Sequence, residues 1–129
     1  MQALLVPISV GELIDKITIL RIKQQKADDA QKLANIENEL KQLENVWRQS
    51  DYSAIDISEL TQQLTEVNET LWNIEDDIRA KEAANEFDEQ FIRLARSVYQ
   101  QNDLRAALKK EINSKTGSDL IEEKLYQKY

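Results

Sequence analysis

A cluster of cations is the feature of this sequence best suited to binding a ligand. Residues 93–115 carry six basic and two acidic side chains, a net charge of +4. Among the basic side chains, Arg96, Arg105 and Lys109 could cradle an anion such as a phosphate, because guanidinium and ammonium groups donate charge-assisted hydrogen bonds. An aromatic side chain, Tyr99 or Trp72, could stack on an attached ring. One interpretation of the pattern is therefore binding of, or catalysis on, a phosphorylated or nucleotide-sugar ligand.

The preceding segment is acidic, and it gives these cations a structural alternative. Residues 60–92 carry nine acidic and two basic side chains, a net charge of −7. If the two segments are antiparallel helices that turn near Glu86, Glu75 lies beside Arg96 and Asn68 lies beside Arg105. A buried polar layer would fix the register of the two helices, because a buried charge without a partner is costly. The structural interpretation is favoured, since basic helix faces usually neutralise acidic ones.

Both interpretations involve one set of candidate residues, and for this set ligand binding is the functional prediction. The set is Asn68, Trp72, Glu75, Arg79, Arg96, Tyr99, Asn102, Arg105 and Lys109.

The residue types that most enzymes use for nucleophilic or metal chemistry are scarce. The chain has no cysteine and no histidine, which removes thiolate nucleophiles, imidazole bases and zinc sites built from either. Acidic pairs at helical spacing, such as Glu66 and Glu69, fit solvated helix faces better than a magnesium site. No metal and no cofactor are predicted, and a non-catalytic role is favoured over an enzyme.

Length and composition indicate an acidic, soluble, all-α protein. The 129 residues suit a single helical domain, residues 1–129, and two glycines with one proline are too few for a turn-rich β fold. The formal net charge of −7 argues against a nucleic-acid partner. No apolar run is long enough to insert in a membrane, and no signal peptide is evident, because the apolar run from Ala3 to Val6 is too short for one. The expected location is therefore the cytoplasm.

The elements that position the candidate residues follow from capping residues and heptad-like spacing. The sequence predicts an antiparallel bundle of four main helices at about 10–27, 30–49, 57–84 and 89–115. Ser9 with Glu12 forms a capping box at the first start, and Gly117 is a suitable stop for the fourth helix. A short C-terminal helix is expected to follow from Ser118. The third helix has a coiled-coil-like seam from Leu60 to Ile78.

Some apolar side chains remain after each helix has been given one buried stripe. On the first helix, Ile19 and Ile22 point away from the main apolar face, and Trp47 ends the stripe of the second helix. Exposed apolar surface of this kind often marks an interface. These residues are the predicted contacts of a protein-interaction module that binds a protein partner or forms a homo-oligomer. This is the favoured function, with the ligand binder as the alternative.

Several strings resemble an uncharacterised family of small, all-helical bacterial proteins, and the resemblance covers nearly the whole chain. They are Ile8–Leu13, Asp15–Leu20, Asn68, Leu71–Trp72, Ile74–Asp76, Ile78–Arg79, Ala95–Tyr99, Asn102, Arg105, Lys109, Ile112–Asn113, Gly117–Ser118, Glu122–Lys124 and Tyr126. The resemblance implies an association with glycosyltransferase and surface-polysaccharide loci, and it supplies no catalytic residues.

The resemblance also directs attention to Gly11, Asp15, Lys16 and Thr18 on the first helix. A glycine in a helix costs about 1 kcal/mol relative to alanine, so Gly11 indicates close approach of another group. Tight packing against the segment around Tyr126 is the favoured explanation. An anion at the helix N-terminus is the alternative.

Overall fold

The computed structural model describes residues 2–129 and is all-helical over that range. Its four α-helices are α1 (Val10–Lys26), α2 (Ala30–Gln49), α3 (Ser58–Ala83) and α4 (Glu89–Thr116), with a short 3-10 turn, Asp51–Ala54, before α3. Each boundary lies within one residue of the predicted one, so the predicted fold class and helix order are confirmed. Over the same residues, every helix is too short or too polar to span a bilayer.

Three of the helices begin at the side-chain caps that the sequence indicates. The Ser9 hydroxyl accepts a hydrogen bond from the Glu12 N–H at 3.1 Å. Asp29 accepts from two N–H groups in the first turn of α2, and Asp88 accepts from the Phe91 N–H at 3.0 Å. Each cap satisfies donors that a helix N-terminus would otherwise leave unpaired.

The start of α3 and the end of α4 are also set by local chemistry. Asp56 accepts hydrogen bonds from the Ser58 N–H at 3.0 Å and from the Ser58 hydroxyl at 2.7 Å. It therefore stabilises the first turn of α3 from just before that helix. Gly117 ends α4 in the left-handed conformation, with φ 71° and ψ 38°, which glycine adopts without steric cost.

The centre of the molecule is α1, which contacts α2, α3 and α4. Leu64 of α3 and Ile112 of α4 are fully buried against it. A fully buried aliphatic side chain contributes about 1.5–3 kcal/mol to folding, so this core is the main source of stability. The core residues are Val10, Leu13, Ile14, Ile17, Leu20, Leu40, Ile57, Leu64 and Ile112. The first helix is thus the central helix of the core.

The predicted short C-terminal helix does not form: residues 118–129, the C-terminal segment, have no regular secondary structure. The Ser118 hydroxyl donates to the Leu120 carbonyl at 2.7 Å and does not cap a helix in its own segment. Further along, Leu125 is 95% exposed. A short helix needs a buried apolar face for support, and this segment has none.

Candidate functional site

A buried carboxylate from α1 reaches both α3 and α4. Asp15 is 0% exposed, and its carboxylate accepts hydrogen bonds from Nε and Nη2 of Arg105, the shorter Nε contact being 3.0 Å. The same carboxylate accepts a hydrogen bond from the Asn68 side-chain amide at 2.9 Å. Asn68 and Arg105, expected to face each other, therefore meet at one carboxylate. Because a buried charge must be paired, these bonds connect three helices in a defined register.

Thr18 extends the network by one turn of α1. It is fully buried, and its hydroxyl accepts a hydrogen bond from the Asn68 amide nitrogen at 2.9 Å. The hydroxyl also donates to the Asp15 carbonyl at 2.7 Å. The two hydrogens of the Asn68 amide thus have two acceptors, Asp15 and Thr18. A polar side chain buried at this position is stable because its donors are satisfied.

Lys109 lies one turn along α4 from Arg105 and is almost as buried as the core. Its Nζ is 2.6 Å from a Glu12 oxygen, 3.5 Å from Glu122 and 4.0 Å from Asp15. Glu122 belongs to the C-terminal segment, so Lys109 ties that segment to α1 and α4. We call the connected group the Asp15 cluster: Glu12, Asp15, Thr18, Asn68, Arg105, Lys109 and Glu122.

Together with Lys124, the Asp15 cluster compensates its own charge. Hydrogen bonds to Asp15, followed by attraction to the carboxylates of Asp15, Glu12 and Glu122, raise the pKa of Arg105 above its ordinary value despite partial burial. Lys124 lies 2.5 Å from Glu122 and adds a third cation against the three carboxylates. The arrangement is that of a structural ion-pair network, and charge-assisted bonds of this type are strong and directional.

The N-terminus of α1 is joined to the C-terminus of α4 by direct hydrogen bonds. The Gly11 N–H donates to the Asn113 side-chain oxygen at 2.6 Å, and the Val10 N–H donates to the Ser118 hydroxyl at 3.0 Å. A Cβ atom at Gly11 would overlap the Lys109 carbonyl oxygen. Gly11 therefore allows close packing, as favoured, but against α4 rather than against the segment around Tyr126. Side chains already satisfy these N–H groups, so the helix N-terminus does not offer them to an anion.

A groove of about 1080 Å³ lies between α4 and the C-terminal segment. The segment is fixed at its far end by Tyr129, whose hydroxyl donates to Asp103 and whose ring lies 4.9 Å from the Tyr99 ring. Arg105 and Lys109 extend from the Asp15 cluster into the groove wall. The wall includes Tyr99, Asn102, Arg105, Lys109, Tyr126 and Lys128. Cationic and aromatic groups therefore share one concave surface.

The structure divides the nine predicted ligand-binding residues into three groups. Four line the groove: Tyr99, Asn102, Arg105 and Lys109. Asn68 lies behind them in the Asp15 cluster. The remaining four are outside the groove wall: Trp72, Glu75, Arg79 and Arg96. Ligand binding by this set remains a prediction.

Glu75 and Arg96, which were expected to lie side by side, do not form an ion pair with each other. Glu75 lies 3.3 Å from Arg79, four residues along the same helix. Arg96 donates a hydrogen bond to the Tyr99 hydroxyl at 3.4 Å. Each charged side chain is thus bonded within its own helix, and Trp72 lies under the Lys26 ammonium group at 5.7 Å. The carboxylate that pairs with Arg105 of α4, that of Asp15, comes from α1.

The three predicted interface residues are all partly or fully covered within the chain. Ile22 is 2% exposed, so its side chain is already packed. Ile19 is half-buried, and Trp47 packs against the core. Contact with a partner through these residues remains a prediction, for which Ile19 and Trp47 offer some surface and Ile22 almost none.

Sequence reasoning omitted the carboxylate at the centre of the site. Asp15 lies among apolar residues of α1, and the resemblance alone drew attention to it. A signal was present in the spacing of Gly11, Asp15, Thr18 and Ile22, which recur at four- and three-residue steps and are all buried. Such a second stripe indicates a helix packed on two sides. Glu122 gave no signal, because its contact depends on the path of the C-terminal segment.

The fold and site define a class of protein: a four-helix bundle with a self-compensated ionic cluster at its centre and a cationic, aromatic groove on one side. The chain belongs to the family described as "Family of unknown function (DUF6165)", whose model matches residues 4–129. The match includes the Asp15 cluster, the groove and the C-terminal segment. No curated protein and no solved structure matches the chain.

Proposed function

We propose that this protein is a non-catalytic protein-interaction module that self-associates through its N-terminal segment, residues 2–8. The observation that carries the proposal is an exposed apolar run. Leu4 is 95% exposed, Leu5 is 91% exposed and Val6 is 71% exposed. The segment has no regular secondary structure, and its backbone makes no hydrogen bond to another described residue. Apolar side chains and free backbone groups together are the features that a second chain can cover.

A strand-like contact between two copies suits this segment best. An unpaired extended chain presents N–H and C=O groups that pair readily with another extended chain. The exposed apolar side chains would then be buried on one or both sides of the new pair. Pro7 lacks an N–H group, which limits the paired stretch to the residues before it.

A second apolar surface begins beside the N-terminal segment and supports a contact between copies. The hydrogen bond from Val10 to Ser118 brings the start of α1 next to the start of the C-terminal segment. The N-terminal segment and the C-terminal segment, which carries the exposed Ile121, therefore leave the bundle at adjacent points. Two copies related by a two-fold axis can bury such surfaces against each other.

The pairing of the buried acids supports a structural rather than a catalytic role for the Asp15 cluster. All of its carboxylates lie within 4.0 Å of a lysine or an arginine. A general base must be able to accept a proton from a substrate, and an ion-paired, buried carboxylate such as Asp15 is poorly placed to do so. The cluster instead holds the helices that present the N-terminal segment.

Light scattering coupled to size exclusion tests self-association over a range of micromolar to millimolar concentrations. We expect the wild-type chain to form a dimer at the upper concentrations. Leu5→Asp should shift the chain to a monomer, because Leu5 is almost fully exposed and its replacement leaves the core unchanged. The matched control is Ile92→Asp, an exposed apolar residue near the opposite end of α4, about 30 Å from Asn113 along the helix. A wild-type chain that stays monomeric, or an equal effect of both variants, contradicts the proposal.

A further inference from the structure

The groove between α4 and the C-terminal segment has the size of a small-molecule site. Its volume of about 1080 Å³ is slightly above the range for ligand pockets, about 300–1,000 Å³. Two separate parts of the chain form its walls, so a ligand would contact both. This feature is independent of the exposed N-terminal segment and of self-association.

Arg105 presents a fixed positive edge to the groove. Its Nε and Nη2 atoms donate to Asp15, whereas Nη1 makes no hydrogen bond to another described residue. The side chain is 30% exposed, and it lines the groove. The bonds to Asp15 therefore hold the guanidinium group in place while one nitrogen remains for a ligand. A donor that is ordered before binding loses little entropy when it binds.

The charged groups on the groove wall are mostly positive, although the whole chain is acidic. Lys128 makes no ion pair with the rest of residues 2–129, so its charge is available. Lys124 and Lys109 also line the groove, but both are paired with Glu122. The one acidic side chain on the wall is Asp103, which accepts a hydrogen bond from the Tyr129 hydroxyl. The contacts that remain open to an anion are therefore Lys128, which is unpaired among the described residues, and Nη1 of Arg105, whose other two guanidinium nitrogens are bonded to Asp15.

A ring face is available beside these cations. Tyr126 lines the groove and is 78% exposed, and its ring has no aromatic or cationic partner in residues 2–129. Tyr99 and Tyr129 already pack against each other in a tilted arrangement and form a second aromatic wall. Aromatic side chains stack on nucleobases with little dependence on the base, because every base has a π face.

We propose that the groove binds a phosphorylated nucleoside, with its phosphates at Arg105 and Lys128 and its base on Tyr126. A bare phosphate would use the cations and leave the tyrosines unused. A neutral ring compound would use the tyrosines and leave the cations unused. A ligand with both parts, a nucleotide with or without an attached sugar, matches the whole surface.

Isothermal titration calorimetry with the full chain tests both halves of this ligand. The probes are UDP, ADP, CDP and GDP, with uridine as the base without phosphate and pyrophosphate as the phosphate without base. We expect at least one nucleoside diphosphate to bind, and both part-ligands to bind at least about tenfold more weakly, since each lacks one set of contacts. A UDP-sugar shows whether the groove also accepts a group beyond the second phosphate. All titrations are repeated in Leu5→Asp, which separates ligand binding from self-association.

Two variants locate the binding site without disturbing the Asp15 cluster. Tyr126→Ala should weaken nucleotide binding about tenfold, as expected for loss of a base stack, and should leave pyrophosphate binding unchanged. Lys128→Ala should weaken both nucleotide and pyrophosphate binding, by up to about fivefold, as expected for one exposed ionic contact. The controls are Phe87→Ala, an exposed aromatic at the turn between α3 and α4, and Lys41→Ala, an exposed lysine on α2. Neither control should alter binding.

Three outcomes would overturn the proposal. The first is the absence of binding by all of the nucleoside diphosphates at millimolar concentration. The second is pyrophosphate binding as tight as nucleotide binding and insensitive to Tyr126→Ala, which would define a plain anion site. The third is nucleotide binding that Lys41→Ala weakens as much as Lys128→Ala, which would indicate non-specific attraction to lysines.

Discussion

Asp15→Asn tests whether the buried cluster holds α1, α3 and α4 together. The substitution keeps the volume of the side chain and removes its charge. The asparagine NH₂ group then faces Arg105 and Asn68, which are also donors. Arg105 loses its bidentate partner, and the attraction between Asp15 and Lys109 at 4.0 Å is also lost. A stability loss is therefore expected from unpaired charge and from hydrogen bonds that can no longer form.

The expected loss follows from the burial of the pair. Breaking a buried ion pair on one side costs about 3–5 kcal/mol, because the other charge stays in the interior. Arg105 retains 30% exposure of its side chain, so water can solvate part of the freed charge. We therefore expect the low end of this range, about 3 kcal/mol. At about 3–5 °C for each kcal/mol in a chain of this size, Tm should fall by about 10–15 °C.

Urea denaturation followed by far-UV circular dichroism gives the free energy of unfolding directly. The matched control is Arg79→Gln, which breaks the exposed pair between Glu75 and Arg79 on the surface of α3. That change should cost no more than about 0.5 kcal/mol, because exposed pairs contribute little. If Asp15→Asn lies within about 0.5 kcal/mol of the control, below the typical effect of breaking a buried network, the cluster is not what holds the three helices.

Two further substitutions test close packing and pH dependence. Gly11→Ala gains about 1 kcal/mol in helix propensity, but its Cβ would overlap the Lys109 carbonyl oxygen, and overpacking costs about 1–3 kcal/mol. We expect a net loss in urea denaturation, and a stabilised variant would contradict close contact between α1 and α4. The hydrogen bond from Lys81, followed by that from the Phe91 N–H, lowers the pKa of Asp88, so its stabilising effect is present above the unfolded-state pKa and is lost as the pH falls through the folded-state pKa. Asp88→Asn keeps an N-cap acceptor and removes the charge. Its Tm should be lower than that of wild type at neutral pH and should approach the wild-type value below about pH 4. A constant difference down to pH 2 would show that the charge of Asp88 is not the cause.

The helices were predictable because their determinants are local. Ser9, Asp29 and Asp88 each cap a helix by bonding N–H groups two or three residues away. Gly117 stops α4 through its own backbone conformation. Each of these capping and stop signals is contained in a few consecutive residues. Tertiary packing does not shift the helix ends away from them.

The centre of the site was less accessible from sequence because it depends on contacts between distant residues. Asp15 and Arg105 are separated by 90 positions, and no spacing rule within one helix connects them. Antiparallel pairing of α3 and α4 correctly placed Asn68 near Arg105, but it treated the site as a contact of two helices. A further helix, α1, supplies the carboxylate of Asp15, and Glu75 pairs with Arg79 rather than with Arg96. The prediction of a helix in the C-terminal segment was wrong for the same reason. The path of this segment is set by its contacts with α4, which are contacts between distant residues.

The structural and the ligand-binding roles of the α4 cations are compatible in this arrangement. Asp15 of α1 pairs with Arg105, and Arg105 also lines the groove, whereas Asp15 does not. Without Asp15, this side chain would be a flexible cation that must be ordered by its ligand. With Asp15, the cost of ordering is met during folding, and Nη1 remains without a hydrogen bond to another described residue. A cluster that fixes helix register can therefore also prepare a binding surface. This explains why Arg105 and Lys109 of α4 both pair with acids of α1 and line the groove.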